Sequence, residues 1–378
     1  MARRAWMAVD PLFADPAARA YACTHARGGV RDGVGKGAAP VACRAMKAMV
    51  LAAGLGTRLR PLTYEITKPM VPVLDRPVMA HILDLLGRHG FEEVIANLHY
   101  FPDSIRAYFG EQGGLTYRYE PELLGTAGGV RGCAEFFGEE PFLVISGDAL
   151  TDIDLSAFAA RHREAGGIAT IAVKQVSDTR EYGVVLHDRE GRVTGFQEKP
   201  APEEALSSLG NCGIYIFDPA IFDHFPERPF ADWAQDVFPA LLEHDVPFHI
   251  HEVRDYWNDV GSLAELRQGT FDALRGELNL QIDGREVAPG VVLAGAAEGL
   301  PADLEAEGPV WIGADVQIGS GVRLTGPIVL GDGARVGAGA QLRESIVFPG
   351  TEIAVGAILI GAIAGHSGIL QSMPPRRG

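Results

Sequence analysis

The chain has 378 residues, 47% of them hydrophobic and 22% charged, and its formal net charge is −16. The normal apolar fraction and the lack of low-complexity tracts exclude a disordered protein, and the length predicts two domains. A strongly acidic chain is a poor candidate for non-specific nucleic-acid binding, and its longest apolar stretch, residues 353–365, is shorter than the roughly 20 residues that span a bilayer.

The first 45 residues differ from the rest of the chain in composition. They carry seven Lys or Arg against three Asp, contain no Glu and show no apolar periodicity. An Arg-rich segment without Glu is typical of targeting peptides, but no apolar segment follows Arg3 and Arg4. We predict that residues 1–45 are disordered or result from an upstream start codon chosen in error, and that the folded part begins at Met46.

The four cysteines, Cys23, Cys43, Cys133 and Cys212, form no C-x-x-C pair. In a chain of this length, scattered cysteines indicate reduced thiols rather than a disulfide framework. We therefore expect a cytoplasmic protein. The acidic charge and the short apolar stretch predict that neither nucleic acid nor a membrane is its partner.

Short apolar runs alternate with segments of helical apolar spacing from residue 47 onward. The predicted strands cover residues 47–53, 93–98, 115–120 and 141–146, and the predicted helices cover residues 77–89, 104–109, 128–137 and 155–163. Strands and helices that alternate at this pace predict a doubly wound α/β sheet. Ligands of such sheets bind beyond the carboxyl ends of the strands.

The loop after the first predicted strand combines small residues with cations. Gly54 and Gly56 allow backbone N–H groups to approach phosphates closely, and the neighbouring arginines add charge-assisted hydrogen bonds. The loop is not a Walker A loop, and Leu59 stands where the dinucleotide-binding pattern needs its third glycine. Lys68 precedes a proline, so we expect it in extended or loop backbone, from which its ammonium group can reach the same anion.

Asp148 follows the predicted strand at 141–146, where a carboxylate is placed to hold a hard cation such as Mg²⁺. The alternative role is that of a turn or helix-capping aspartate. Asp152 and Asp154 are better placed for that role, because both directly precede the predicted helix at 155–163.

Short motifs occur in a fixed order along residues 46–273. They are LAAGLGTRLRPLT at 51–63, TKPM at 67–70, LGTAGG at 124–129, SGD at 146–148, EKP at 198–200, NCGIY at 211–215 and YWNDVG at 256–261. This series resembles the sugar-1-phosphate nucleotidylyltransferase (NDP-sugar pyrophosphorylase) family. Within that family, residues 144–155 are most similar to mannose-1-phosphate guanylyltransferase-like proteins.

The resemblance implies an enzyme with a Rossmann-like nucleotidyltransferase domain in residues 46–275. Such an enzyme joins a nucleoside triphosphate to a sugar 1-phosphate and releases pyrophosphate, without a covalent intermediate. The implied substrates are GTP and mannose 1-phosphate, and the alternatives are thymidylyl, uridylyl or adenylyl transfer to glucose 1-phosphate. A non-catalytic regulatory subunit of the same fold is a further alternative, which the retained charged residues disfavour.

The resemblance also implies the roles of individual residues. Arg58, Lys68 and Asp148 are the expected catalytic residues, with Arg58 on the β- and γ-phosphates and Lys68 on the α-phosphate. The expected nucleotide-binding residues are Leu51, Ala53, Gly54, Gly56, Thr57, Arg58, Gly125, Thr126, Ala127 and Gly128. The residues expected to bind the sugar phosphate are Gly183, Glu198, Lys199 and Asn211. Mg²⁺ is the implied cofactor, with Asp148 and Asp259 as its ligands.

Beyond a predicted helix at 263–275, apolar residues recur every six positions. One row is Ile312, Ile318, Leu324, Leu330, Val336, Leu342 and Phe348, and the second is Val316, Val322, Ile328, Ala334, Ala340 and Ile346. This period predicts a left-handed parallel β-helix of hexapeptide repeats over residues 276–372, with inward-pointing rows. Residues 351–355 add one residue and are expected to shift the register once. A two-sheet sandwich is the alternative, but its alternation has no fixed six-residue period.

Acyltransferases also use such coils, usually with a catalytic histidine, so an acyltransferase or a bifunctional enzyme is a further alternative. The only histidine of this region is His366, beyond the regular rows. We therefore expect a structural domain that supports contacts between copies in a homo-oligomer.

Overall fold

The computed structural model describes residues 46–110, 113–295, 300–365 and 368–372. The expectations for residues 1–45 and for His366 lie outside these ranges. Within the ranges, the structure has no helix whose length and apolar character would let it cross a membrane.

Residues 47–274, which we call the first half of the chain, form a large sheet and the helices that cover it. Its strands are β1 Lys47–Leu51, β2 Pro72–Val73, β3 Arg76–Pro77, β4 Val94–Leu98, β5 Leu115–Tyr119, β6 Phe142–Ser146, β7 Leu150–Thr151, β8 Ala169–Gln175, β9 Gly183–His187, β10 Val193–Glu198, β11 Leu209–Phe217, β12 His249–Glu252 and β13 Trp257–Asn258. Its α-helices are α1 Val78–Arg88, α2 Pro102–Phe109, α3 Gly125–Gly132, α4 Ala134–Phe137, α5 Leu155–Ala165, α6 Phe238–Glu243 and α7 Leu263–Leu274. Short 3₁₀ turns cover Thr57–Leu59, Leu62–Tyr64, Lys68–Met70, Thr179–Glu181 and Pro219–His224, and a π-helical turn covers Trp233–Val237.

The main sheet runs in the order β10-β9-β11-β6-β1-β4-β5, with β8 beside β11 and β12 beside β8. Strands β6, β1, β4 and β5 are parallel, whereas β11 is antiparallel to β6. This mixed α/β sheet confirms the predicted fold class. Met49 packs into the core on one face of the sheet, and Ala48 and Val50 pack into the core on the other, which explains the unbroken apolar run of β1.

Strands β1 and β6 end at the same edge of the sheet. Leu51 pairs with Ser146 at their carboxyl ends. The glycine loop and Asp148 therefore begin side by side, although they are far apart in the sequence.

The predicted helix at 128–137 is wrong in its bounds. The structure has two helices here, α3 and α4, which are separated at Cys133. Helix α3 begins earlier than expected because Gly125, with φ of 78°, turns the chain into its first turn. Gly125 and Thr126 consequently lie at the start of α3.

The second half of the chain is a column of short strands. These are β14 Arg285–Ala288, β15 Val291–Leu293, β16 Glu305–Glu307, β17 Val310–Ile312, β18 Gln317–Ile318, β19 Arg323–Leu330, β20 Arg335–Val336, β21 Gln341–Val347, β22 Glu352–Ile353, β23 Ile358–Ile360, β24 Ala362–Gly365 and β25 Gly368–Ser372. Successive coils pair in parallel, as in β15-β17-β19, β18-β20-β22 and β16-β19-β21-β23. This arrangement confirms the predicted parallel β-helix, and its left-handed winding stays a prediction.

The register of the coils shifts within β21, in the opposite sense to the prediction. Leu324 pairs with Leu342, eighteen positions further on, but Leu330 pairs with Val347, seventeen positions further on. One residue is therefore lost before residue 345, whereas the sequence predicted one residue gained at 351–355.

This shift turns Ile346 and Phe348, which were expected to point inward, toward the first half of the chain. Both belong to the large hydrophobic cluster that also contains side chains of α1 and α7. Arg267 of α7 donates hydrogen bonds to the backbone oxygen and the carboxylate of Glu344, at 3.2 and 3.3 Å. Because packing is continuous across residue 276, the predicted domain ranges stay predictions.

Glycines let neighbouring coils stack closely. A Cβ at Gly319 would lie 2.5 Å from the backbone nitrogen of Ala338 in the next coil. We expect Gly319→Ala to lower the free energy of unfolding by about 1–3 kcal/mol, because the two backbones must move apart. Urea unfolding measures this change. The control is Gly87→Ala, since an added Cβ in α1 would have no atom within 4 Å. Equal stability of both variants would contradict the close stacking.

Candidate active site

A pocket of about 250 Å³ opens at the edge where β1 and β6 end. Lys68 and Asp148 lie at its buried end, and the half-exposed Phe230 lies at its rim. The lining residues are Leu51, Ala53, Gly54, Lys68, Pro69, Asn97, Glu120, Leu123, Gly125, Thr126, Ser146, Asp148 and Phe230. Five of the ten residues that the sequence assigned to the nucleotide line this pocket, namely Leu51, Ala53, Gly54, Gly125 and Thr126.

Gly56 shapes the loop that follows β1. Its φ of 60° lies in the left-handed region, and Thr63 Oγ1 donates to its carbonyl oxygen at 2.7 Å. A Cβ at Gly56 would lie 2.9 Å from Thr63 Cγ2, so the turn has no room for a side chain. Gly54 is exposed and has no atom within 4 Å of an added Cβ, and Thr57 is exposed as well. The backbone of this loop is therefore open to a ligand.

Lys68 and Asp148 form an ion pair at the buried end of the pocket. Lys68 Nζ donates to Asp148 Oδ2, and the two side chains are 12% and 19% exposed. A cation and a carboxylate that are both shielded from water interact more strongly than a surface pair. A polyphosphate in the pocket would offer Lys68 a second anionic partner at this position.

Arg58 connects the loop to the other side of the site. Its guanidinium donates to Glu181 Oε2 at 3.1 Å and lies 3.6 Å from Asp259 Oδ2. The Arg58 side chain is 45% exposed, so these pairs are weak and the guanidinium can exchange partners.

Asp259 and Glu265 converge at Gly261. A Cβ at Gly261 would lie 2.7 Å from Asp259 Oδ2 and 3.0 Å from Glu265 Oε2. Any side chain at this position would therefore displace both carboxylates. Burial, together with the charges of Glu265 and Asp148, raises the pKa of Asp259 to about 6. Tyr182 donates a hydrogen bond to Glu265 Oε1 at 3.1 Å. Glu265 therefore supports this part of the site, although no sequence motif marked it.

The carboxylates of Asp148 and Asp259 fit the Mg²⁺ expected from the sequence. Asp259 Oδ1 is buried and has no hydrogen-bond partner among the described residues, and Asp148 is near enough to raise the pKa of Asp259. Mg²⁺ binds through one or two carboxylates together with substrate phosphates. Over the described ranges, no three His, Cys, Asp or Glu side chains are grouped to hold a metal ion, so the substrate would have to complete such a site.

Gly183, Glu198, Lys199 and Asn211 form a second group, outside the wall of the pocket. Glu198 pairs with Gly183 across β9 and β10, and an added Cβ at Gly183 would lie 3.4 Å from Glu198 Oε2. Lys199 has a left-handed φ of 47°, and its Nζ lies 3.9 Å from Glu198 Oε1. Asn211 lies on β11, which neighbours β9 in the sheet.

Ala127 and Gly128 do not line the pocket, although the sequence assigned both to the nucleotide. Both residues are buried, and both of their N–H groups donate to the carbonyl oxygen of Ala231 at 3.0 Å. Their amides are therefore already used, and Gly125 and Thr126 are the residues of this motif that lie at the pocket.

Six lining residues were not among the predicted site residues. Pro69 and Ser146 belong to motifs that the sequence marked, whereas Asn97, Glu120, Leu123 and Phe230 belong to none. Asn97 accepts from the Ala52 N–H and donates to Glu120 Oε1, both at 2.8 Å, so it ties β4 to the loop. A polar residue inside an apolar strand was the signal that could have indicated Asn97. Phe230 lies in an irregular segment where no spacing marks it.

Cys133 and Cys212 are free and buried. Burial raises the pKa of both thiols, to about 12 for Cys133. A thiol that stays protonated is a poor nucleophile, so neither cysteine suits covalent catalysis.

Two family models match the chain, and named relatives are similar to most of it. The Nucleotidyl transferase family model matches residues 47–275, and the bacterial transferase hexapeptide model, of six repeats, matches residues 309–344. A UTP–glucose-1-phosphate uridylyltransferase from Synechocystis sp. is 42% identical over 286 residues, which cover 71% of this chain and 74% of that protein. A mannose-1-phosphate guanylyltransferase from Mycobacterium tuberculosis is 34% identical over 271 residues, which cover 68% and 75%.

A solved structure shows the same fold. The crystal structure of HddC from Yersinia pseudotuberculosis matches 60% of this chain and 98% of its own, with a TM-score of 0.53 and 24% identity. The family itself is shown by the family model, which matches more than half of the sequence, and by the two relatives, and it is the family that the motifs predicted. The chain is therefore an enzyme of the nucleotidyl transferase family.

Proposed function

We propose that the chain transfers a nucleotidyl group from a nucleoside triphosphate to a sugar 1-phosphate and releases pyrophosphate. The observation that carries this proposal is the pairing of Lys68 with Asp148 in the pocket whose walls include Gly54 and Gly125. A cation, a carboxylate and open backbone N–H groups in one cavity suit a polyphosphate. The family match over residues 47–275 supports the same reaction.

In the proposed reaction an oxygen of the sugar phosphate attacks the α-phosphorus in line. The new P–O bond forms as the bond to the β-phosphate oxygen breaks, and pyrophosphate leaves with that electron pair. Lys68 would bind the α-phosphate, where charge develops, and Arg58 would exchange Glu181 for the β- and γ-phosphates. Positioning and charge neutralisation suffice for such a transfer, so no protein nucleophile is needed.

We also propose that Asp148 and Asp259 hold Mg²⁺. When bound, Mg²⁺ neutralises phosphate charge and orients the reacting oxygens. Asp259 can offer its Oδ1 without breaking a hydrogen bond, because that atom has no partner within the described part of the chain. The carboxylate of Asp148 would then neutralise part of the charge of Mg²⁺ in addition to the charge of Lys68.

The sugar 1-phosphate would bind at the second group of residues. Glu198 and Lys199 have side chains that are 58% and 49% exposed, so both are accessible. Glu198 would accept hydrogen bonds from sugar hydroxyls, Lys199 would bind the phosphate, and Gly183 would leave room for the ring. Asn211 lies on the neighbouring strand and would line the same side.

The two relatives suggest different substrate pairs. The sequence of residues 144–155 predicted GTP and mannose 1-phosphate, and the name of the 34% identical relative gives that activity. The relative named for UTP and glucose 1-phosphate is more similar, at 42% identity over a longer stretch. We therefore propose UTP and glucose 1-phosphate as the preferred pair, with GTP and mannose 1-phosphate as the second candidate.

Pyrophosphate release over a grid of substrates tests this function. The grid combines UTP, GTP, dTTP and ATP with glucose 1-phosphate and mannose 1-phosphate, in the presence of Mg²⁺. We expect the highest kcat/KM with UTP and glucose 1-phosphate. A preference for GTP and mannose 1-phosphate would favour the second candidate. No release with any pair would contradict the proposed function and favour a regulatory subunit.

We propose a structural role for the β-helix, as a surface for contacts between copies of the chain. Sedimentation velocity measures the state of association, and a monomer at micromolar concentration would contradict a homo-oligomer. Acetyl transfer from acetyl-CoA to an amino sugar would contradict the purely structural role. The cytoplasmic location stays a prediction.

A further inference from the structure

Phe230 is a large apolar side chain that stands at the mouth of the pocket. It is 50% exposed and belongs to the lining. Leu123, which also lines the pocket, is 36% exposed. Apolar side chains that stay exposed beside a cavity indicate a contact surface for a ligand.

The backbone that carries Phe230 is held by hydrogen bonds rather than by packing of the ring. Arg131 donates to the carbonyl oxygens of Pro226, Arg228 and Pro229, at 2.6, 2.6 and 2.8 Å. The Arg131 guanidinium thus fixes three backbone carbonyl groups in the short segment that precedes Phe230. The backbone position from which the ring projects is set before any ligand binds, which lowers the entropic cost of binding.

A second set of hydrogen bonds fastens the same segment to the start of α3. The Ala231 N–H donates to the carbonyl oxygen of Leu124 at 2.9 Å. As a result the ring stands beside Gly125, where an added Cβ would lie 3.2 Å from Phe230 Cε2. Gly125 and the ring of Phe230 thus lie side by side and form a continuous apolar surface at the rim of the pocket.

The pocket has an ion pair at one end and exposed apolar side chains at the other, and the buried carboxylate of Glu120, which also lines it, accepts hydrogen bonds from Asn97 and from the Leu124 N–H. Lys68 and Asp148 occupy the buried end, and Leu123 and Phe230 occupy the rim. A nucleoside triphosphate has the same polarity, with ionic phosphates at one end and flat apolar faces on the base at the other. If the phosphates lie at Lys68, the base lies at the rim.

We propose that Phe230 stacks on the base of the nucleoside triphosphate and supplies much of the nucleotide affinity. This proposal rests on the proposed function, because it uses the phosphate position at Lys68. Stacking on an aromatic ring tolerates every base, since each has a π-face. Phe230 therefore serves UTP and GTP alike, and selection between bases falls to other groups of the pocket.

Calorimetric titration of the full chain with two probes tests this role. The probes are UTP, which carries a base, and inorganic tripolyphosphate, which carries the same phosphate chain without one. We expect Phe230→Ala to raise the Kd for UTP about tenfold and to leave the Kd for tripolyphosphate unchanged. GTP should show the same loss as UTP. Phe230→Tyr keeps a ring and should bind UTP as the parent does.

The control variant is Ile369→Ala, which removes a 62% exposed apolar side chain from β25 and should change neither Kd. An unchanged Kd for UTP in Phe230→Ala, or an equal loss for UTP and tripolyphosphate, would overturn the stacking role. A higher KM for the sugar 1-phosphate with an unchanged Kd for UTP would place the sugar on the ring instead and would also overturn it. A parent chain that binds UTP through Phe230 but releases no pyrophosphate would refute the proposed function alone.

Discussion

We expect Asp148→Asn to lower kcat by about 10³-fold while the fold is kept. Asp148 is the partner of Lys68 at the buried end of the pocket. An amide in its place neither balances the ammonium charge nor offers a charged oxygen to a cation. Pyrophosphate release at saturating substrate measures kcat, and far-UV circular dichroism reports whether the variant is folded.

A neighbouring aspartate provides the matched control for this variant. Asp154 caps α5, where its Oδ1 accepts from the N–H groups of Ser156 and Ala157 at 3.0 and 2.9 Å. Because asparagine caps helices as well as aspartate does, Asp154→Asn should change kcat by less than about twofold. Near-normal turnover of Asp148→Asn would show that Asp148 takes no part in the reaction. An equal loss in both variants would point to net charge rather than position.

We expect Trp311→Ala to lower the free energy of unfolding by about 3–5 kcal/mol. Trp311 is fully buried in the hydrophobic cluster that joins the β-helix to the first half of the chain. Its Nε1 donates to the carbonyl oxygen of Asp283 at 3.0 Å. Truncation leaves a cavity between the two halves and an unpaired carbonyl group. Urea unfolding, followed by tryptophan fluorescence and circular dichroism, measures the loss.

Trp311→Phe separates packing from hydrogen bonding at this position. It keeps most of the ring volume and loses the bond to Asp283, so the expected cost is about 1–2 kcal/mol. Val355→Ala is the surface control, because Val355 is 78% exposed in the same β-helix. If Trp311→Ala unfolds in two steps, with the first half as stable as in the parent, then the two halves are independent and the shared core is unimportant.

The position of the glycine loop could be predicted because the local sequence pattern and the pairing of the strands agree there. A glycine turn after an apolar strand specifies both a backbone shape and a place at the sheet edge, and β1 and β6 end side by side as expected for such a sheet. The LGTAGG motif shows the limit of this reasoning. The amides of Ala127 and Gly128 are taken by Ala231, which belongs to a distant segment.

The β-helix shows the same limit in its register. The six-residue period predicted the coils, because each inward residue repeats at a fixed spacing. The sequence placed the register shift at 351–355, whereas the structure has it before residue 345. The apolar pattern could not reveal this difference, because Ile346 and Phe348 are apolar whichever side they face. Their burial in the hydrophobic cluster that also contains side chains of α1 and α7 satisfies the hydrophobic pattern as well as the interior of the β-helix would.

By itself the sequence determined the α/β alternation, the six-residue repeat, the family and two charged residues that line the pocket, Lys68 and Asp148. These features depend on short-range spacing and on residue chemistry, both of which can be read along the chain. Only the tertiary structure decided that Phe230 stands beside Gly125, that Glu265 meets Asp259, and that Ile346 and Phe348 leave the interior of the β-helix. Each of these depends on a contact between segments far apart in sequence, whose spacing carries no local signal.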